Sequence, residues 1–245
     1  TKSMQSTSPE YEAEEKITVD KNMDLYAVVF NRATETDLTE DQLPQVDIYK
    51  YKQVIFVGDS RTEFMENVLT GMGESATKNV KFVCSAGKGL DWFTTTGWAQ
   101  LYSIVQHDSN SILSKKTAVI FNFGVNDLSK SADYAEYYNW IAPQLKSKGC
   151  ELYFMSVNPV NRLMLPNAGR ADRSEAAVRS FNQYMKANLS SAYTYIDMYS
   201  YLKSTGYSFA SDHYGTGTVD DGLHYTTRTY KRIFAKCMDS LRVPA

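Results

Sequence analysis

From residue 51 onward, short apolar runs alternate with longer stretches of helical periodicity. The runs are QVIFVG (53–58), VKFVC (80–84), AVIFNFG (118–124), ELYFMSV (151–157) and YTYID (193–197). They are rich in β-branched and aromatic residues, and several are apolar on both faces. That suits strands of a parallel sheet covered on both sides. Helical candidates lie between them at 62–72, 90–105, 132–149 and 174–189, and a last one closes the chain at 226–241. The stretch 174–189 puts apolar residues at 177, 178, 181, 184, 185 and 189, a single helical stripe. Pro143 falls inside the third candidate and predicts a kink or a division there. Five strands alternating with helices predict an α/β fold, a doubly wound sandwich in one domain.

The first 50 residues read differently. Residues 1–21 are rich in Ser, Thr, Glu and Lys and carry few large apolar groups, which predicts a tether or a loosely packed arm. Residues 22–50 hold one apolar run, LYAVVF (25–30), and then a polar stretch, as expected of a segment that packs on the main body. The division is therefore a polar arm and pre-domain segment over 1–50 and a main domain over 51–245.

Composition narrows the class. The chain has 245 residues with a formal net charge of −2, so it lacks the basic footprint of a nucleic-acid binder. It has only 13 Gly and 6 Pro, too few for a linker or a low-complexity chain. Three cysteines (Cys84, Cys150 and Cys237) exclude a disulfide scaffold, and their spacing fits no zinc template. Cys84 and Cys150 flank strand-like runs and read as small buried hydrophobes; one disulfide with one free thiol stays open. No run reaches the ~20 apolar residues of a membrane span. The sequence starts at Thr1 without a signal peptide, which leaves open a removed leader or anchor.

In a doubly wound sheet the functional site forms at the carboxyl ends of the strands. Gly58-Asp59-Ser60 follows the first run, Ser85-Ala86-Gly87 the second, and Gly124-Val125-Asn126-Asp127 the third. Asp221-Gly222-Leu223-His224 precedes the last helix. These residue types suit acyl chemistry. A serine hydroxyl is a poor nucleophile without a base in hydrogen-bond reach. An imidazole takes that proton and returns it to the leaving group. A carboxylate on the other ring nitrogen fixes the tautomer and stabilises the imidazolium. Asp221 and His224, three residues apart, can be presented by one turn. Backbone N–H groups of Ser60 and Gly87 and the Asn126 amide can meet the oxyanion of a tetrahedral intermediate. The candidate site is thus Ser60, His224 and Asp221 as catalytic residues, with Ser60, Gly87 and Asn126 as the oxyanion hole. The chain carries no HxH, HExxH or CxxC pair, so no metal or cofactor is expected.

At these residues the chain resembles the SGNH hydrolases, the GDSL esterase/lipase superfamily. GDS at 58–60, Gly87, GVND at 124–127 and DGLH at 221–224 match its four blocks in order, over roughly residues 51–241. The wider string GDSRT…GVNDL…SVNPV…FN…DGLHYT looks like secreted SGNH proteins of Gram-positive bacteria. The resemblance implies a flavodoxin-like three-layer α/β/α fold and metal-free hydrolysis of short acyl esters or, in relatives, acyl transfer. Two departures stand out. Arg61 replaces the usual apolar fourth residue of the first block, and the second block lacks the common Asn before its glycine.

Arg61 has two readings, recognition of an anionic or polyhydroxylated substrate, or an ion pair with Asp127, Glu63 or another carboxylate. Trp92, Tyr214 and Tyr225 flank the blocks and are candidates to stack on a sugar ring. Arg162, Arg170 and Arg173 lie in the stretch 158–173, a candidate wall of the site whose arginines read more readily as solvated. Asp59 and Asp127 read as structural, Asn122 as a satisfied core amide, and His107 as a surface residue. The expected function is a serine esterase acting on short acyl groups, acetyl first, of a small-molecule or oligosaccharide ester. It is expected to be secreted or held at a Gram-positive cell surface by a missing segment. Two alternatives stand beside it: the extracellular domain of a cell-wall polysaccharide O-acetyltransferase, and a non-catalytic carbohydrate-binding module.

Overall fold

The computed structural model describes residues 37–46, 50–108, 116–162, 164–165, 173–210, 215–216 and 220–241. The polar arm and the apolar run 25–30 lie outside them. Five strands form the sheet: β1 (Tyr51–Gly58), β2 (Val80–Cys84), β3 (Lys116–Asn122), β4 (Cys150–Met155) and β5 (Tyr193–Ile196). All pairings are parallel, in the order β2-β1-β3-β4-β5. This is the flavodoxin-like order, with a topological switch point between β1 and β3.

Alternation along each strand sorts the core into two halves. Ile55, Val57, Val119, Phe121, Leu152 and Phe154 face one side. There they meet α2 (Leu90–Trp92), α3 (Trp98–Asp108), α4 (Ser131–Ser147) and α5 (Glu175–Asn188). Val54, Phe56, Ala118, Ile120, Tyr153 and Met155 face the other. There they meet α1 (Ser60–Met72), α6 (Met198–Thr205) and α7 (Thr227–Ser240). The result is a three-layer α/β/α sandwich, as expected. The pre-domain residues Leu43 and Val46 are buried in the second half of the core.

Three local features differ from the sequence reading. The single helix expected over 90–105 is two α-helical pieces joined by a π-helical turn at Phe93–Gly97. Helix α4 is not divided at Pro143, one of the two outcomes expected of that residue. Pro143 sits on the exposed side of the helix, where water can take up the carbonyl its missing N–H leaves free. Helix α6 was not expected; Asp197 caps it by accepting a hydrogen bond from the Ser200 N–H at 3.1 Å. Cys84, Cys150 and Cys237 are all free thiols, so no disulfide joins them.

Candidate active site

Strand β1 ends at Gly58 and the chain turns at once into α1. Asp59 is its N-cap and accepts a hydrogen bond from the Arg61 N–H at 3.0 Å. That cap sets Ser60 as the first helical residue, with its side chain at the carboxyl edge of the sheet. Desolvation raises the buried Asp59 carboxyl to about 6, against the opposing pull of the Arg61 N–H and the Arg61 charge.

His224 arrives from the other end of the sequence. Its Nε2 lies 2.8 Å from Ser60 Oγ, and its Nδ1 lies 2.7 Å from Asp221 Oδ2. The other oxygen of Asp221 accepts the backbone N–H groups of Leu223 at 2.9 Å and His224 at 2.8 Å. One tight turn therefore fixes both the Asp221 carboxylate and the His224 ring. Burial works to raise the Asp221 carboxyl, but the His224 ring and these N–H groups outweigh it and hold it below the ordinary carboxylate range. An ionised carboxylate at Nδ1 keeps the proton there and leaves Nε2 to accept from the Ser60 hydroxyl. Ser60 is 5% exposed, His224 2% and Asp221 1%. Asp220 does not compete: its carboxylate accepts from the Gly222 N–H at 2.8 Å and the Asn161 amide at 3.2 Å.

Because β1 lies between β2 and β3, Ser60 emerges between the loops that follow those two strands. The β2 loop is tied down by two bonds. The Ser85 N–H donates to the Gly58 carbonyl at 3.3 Å, and the Ala86 N–H donates to Glu63 at 2.7 Å. Gly87 follows at φ +70°, a left-handed conformation that glycine adopts without strain. Asn126, on the β3 loop, reaches across and donates from Nδ2 to the Lys88 carbonyl at 2.8 Å. The structure thus draws the loops of Gly87 and Asn126 together at the same edge of the sheet as Ser60. Asp127 braces the same junction, accepting from the Leu90 N–H at 2.9 Å and the Tyr134 hydroxyl at 2.8 Å.

The family model for GDSL-like lipase/acylhydrolase matches residues 14–237. The chain belongs to the GDSL-like lipase/acylhydrolase family. It is accordingly a hydrolase of the esterase type. No curated protein matches it in sequence. Among solved structures, this GDSL-family chain is similar to a protein assigned to the SGNH hydrolases from Slackia heliotrinireducens. That pair has a TM-score of 0.55 and 13% identity, over 79% of this chain and 100% of the other. It is also similar to a protein assigned to the acylhydrolases from Bacteroides fragilis, with a TM-score of 0.50 and 16% identity, over 82% of this chain and 92% of the other. A third, assigned to the GDSL-like lipases and from Parabacteroides merdae, has a TM-score of 0.50 and 13% identity, over 81% of this chain and 100% of the other. At such identities the likeness is one of fold.

Within this GDSL-family site, two expected substrate-binding residues need correction. Arg61 is 2% exposed and pairs with no substrate-facing surface. Its Nε donates to the Leu223 carbonyl at 2.9 Å, Nη1 to Asn158 at 2.8 Å and Nη2 to Pro159 at 2.8 Å. Among the described residues it makes no direct ion pair; it is a clamp on three backbone carbonyls rather than a substrate hook. Tyr225 is fully buried beneath that guanidinium and donates its hydroxyl to the Pro159 carbonyl at 2.5 Å. Its backbone bridges to Phe209, which turns the ring into the core and away from any sugar. Trp92 is partly buried and packs near Phe123, with ring centroids 6.1 Å apart. Tyr214 lies outside the described residues, as do His213 and Arg170.

Several residues that serve the site were not singled out. Asn182 pins Val157 through both its N–H and its carbonyl, each at 2.8 Å. Glu175 accepts the Val160 N–H at 2.8 Å. Together with Arg61 and Tyr225 they clamp the stretch 157–160 from several sides. Asn182 is the Asn of the FN pair, so its type was visible while its partner was not. Phe64 lies four residues beyond Ser60, on the same helical face, which was a usable signal.

Proposed function

We propose that this chain is a serine esterase in which Ser60, His224 and Asp221 act as the triad. The observation that carries the reading is the chain of two short contacts, Ser60 Oγ to His224 Nε2 at 2.8 Å and His224 Nδ1 to Asp221 Oδ2 at 2.7 Å. Ser60 Oγ attacks the ester carbonyl carbon while its proton passes to His224 Nε2. The carbonyl oxygen becomes an oxyanion facing the N–H groups of Ser60 and Gly87 and one N–H of Asn126. The C–O bond to the alcohol then breaks, and that alcohol leaves with the proton from His224. Water attacks the acyl-enzyme, gives a proton to His224, and releases the acid as Ser60 recovers that proton.

The substrate reading is a short acyl group, acetyl first, carried by a carbohydrate. A polysaccharide substrate goes with a location outside the cell or at its surface, which fractionation of the source cells tests. The deciding experiment is a panel of p-nitrophenyl esters of rising chain length beside acetylated oligosaccharides, with an acceptor sugar in parallel. Acetyl esters are expected to turn over fastest. Ser60→Ala is expected to abolish labelling by a serine-directed phosphonate and turnover together, with the fold intact, and EDTA is expected to leave the rate unchanged. Near-normal turnover in Ser60→Ala would reject the nucleophile. Acetyl passing to the sugar in preference to water would replace hydrolysis with transfer.

A further inference from the structure

An asparagine can stabilise an oxyanion only with its amide turned the right way. Rotation by half a turn about the last side-chain torsion exchanges Oδ1 and Nδ2 at almost no steric cost. One orientation offers an N–H to the developing negative charge; the other offers a lone pair, which repels it. Asn126 is partly exposed, so packing alone does not choose between them.

Two contacts do choose. Arg173 Nη2 donates to Asn126 Oδ1 at 3.1 Å, and Asn126 Nδ2 donates to the Lys88 carbonyl at 2.8 Å. A guanidinium has no acceptor and a carbonyl oxygen no donor, so neither contact tolerates the exchange. A turned amide would face Arg173 donor to donor and Lys88 acceptor to acceptor. The Lys88 contact uses one of the two Nδ2 hydrogens and leaves the second for the reacting oxygen.

Arg173 grips the backbone as well. Its Nε donates to the Val125 carbonyl at 2.5 Å, so one planar fork holds both the peptide before Asn126 and the Asn126 side chain. The mount is firm. Arg173 directly precedes Ser174, the N-cap of α5, whose hydroxyl accepts the Ala177 N–H at 3.1 Å. Asn182, on the same helix, is bonded twice to Val157 at the end of β4. The guanidinium charge is also felt by the buried Asp59 next to the nucleophile.

We propose that Arg173 is a positioning residue of the oxyanion hole, holding the Asn126 amide with Nδ2 toward the reacting carbonyl. The proposal rests on the esterase reading of Ser60 given above. It predicts a defect confined to the transition state, where the oxyanion exists, with ground-state binding untouched.

The test compares Arg173→Met, Arg173→Lys, Asn126→Ala and the double variant Asn126→Ala/Arg173→Met on p-nitrophenyl acetate, with thermal melts to verify folding. Loss of one oxyanion donor costs about 10²–10³-fold in kcat. Arg173→Met is expected to lose about 10–100-fold in kcat with KM nearly unchanged. Arg173→Lys, which keeps one donor and the charge, is expected to recover part of it. In the Asn126→Ala background the Arg173 substitution is expected to cost almost nothing further, because its object is gone. Full kcat in Arg173→Met, or losses that multiply in the double variant, would overturn the proposal. If Arg173→Met does not fold, the same comparison is read with Arg173→Lys alone and in the Asn126→Ala background. Ser60→Ala in the same series separates the two levels: if it stays active the esterase reading fails, whereas an inactive Ser60→Ala beside a fully active Arg173→Met rejects only the role of Arg173.

Discussion

The Phe64 ring stacks on the His224 imidazole, with centroids 4.2 Å apart and planes inclined by 27°. Phe64 stands one turn after Ser60, so a single helix presents the Ser60 hydroxyl and the surface against which the His224 ring is seated. Phe64→Leu keeps an apolar residue in a buried position but removes the flat face. The imidazole gains freedom to swing away from Ser60. We expect kcat to fall by up to ~10²-fold, the scale of a 1 Å misplacement, with KM little changed and Asp221 still bonded to Nδ1. Steady-state kinetics of Phe64→Leu check this; an unchanged kcat would show that the Asp221 turn suffices to hold the ring.

Arg61 fixes the backbone on both sides of the site, at Leu223 beside the base and at Asn158 and Pro159 beyond β4. Arg61→Met leaves three carbonyls without that donor. Pro159 keeps its bond from the Tyr225 hydroxyl, so at about 1–3 kcal/mol for each of the other two buried carbonyls the loss is expected to be at least about 2 kcal/mol. Kinetically, kcat is expected to fall alike for neutral and anionic esters. Chemical denaturation and kinetics on one ester of each kind check both halves. A rise in KM for the anionic ester alone would restore Arg61 to substrate recognition.

Asp59 gives a pH dependence with a definite sign. Burial lifts its carboxyl from 3.8 to about 6, so between those values the native state holds a proton that the unfolded chain has released. Its contribution to stability therefore falls as pH rises through that window and stays low above it. A displacement of that size corresponds to about 3 kcal/mol. Asp59→Asn retains an acceptor for the Arg61 N–H and cannot ionise. Relative to wild type, the variant is expected to gain stability at pH 8 and to lose that advantage near pH 4. Urea unfolding at the two pH values checks it; equal differences at both would assign Asp59 an unperturbed carboxyl.

The turn that carries the base has its own weak point. Gly222 adopts φ +72°, and a Cβ there would come 2.3 Å from the Asn161 carbonyl oxygen. Since that contact is with backbone, Gly222→Ala must shift the turn and so the Asp221–His224 pair. We expect lost stability together with a fall in kcat of at least tenfold, on the scale of displaced catalytic groups. A Gly222→Ala protein with wild-type kcat would mean that the turn absorbs the strain locally.

The sheet and the four blocks were legible because strands covered on both faces must be apolar along their whole length, and because the chemistry sits at their ends. Boundaries were less so. The runs 118–124 and 151–157 overshoot β3 and β4, which end at Asn122 and Met155, since Phe123, Val125 and Val157 remain buried after pairing stops. Hydrophobicity records burial, not hydrogen bonding. Roles went astray where direction mattered. Arg61 and Tyr225 neighbour the blocks and Arg173 lies in the candidate wall 158–173, but no spacing rule tells whether a side chain turns toward substrate or into the frame. Arg61 and Tyr225 turn inward to carbonyls that the chain supplies between 66 and 162 positions away. Arg173 looked solvated because its partners lie 47 and 48 positions back.

The contact between His224 and Ser60 joins positions 164 residues apart. During synthesis Ser60 is made early, and it stays without the His224 ring until the chain beyond β5 has been translated and α7 has packed against α1. Such long-range closure comes late when loop entropy governs the order of events. A nascent or truncated chain that ends before the last helix thus carries the Ser60 hydroxyl without the His224 imidazole beside it.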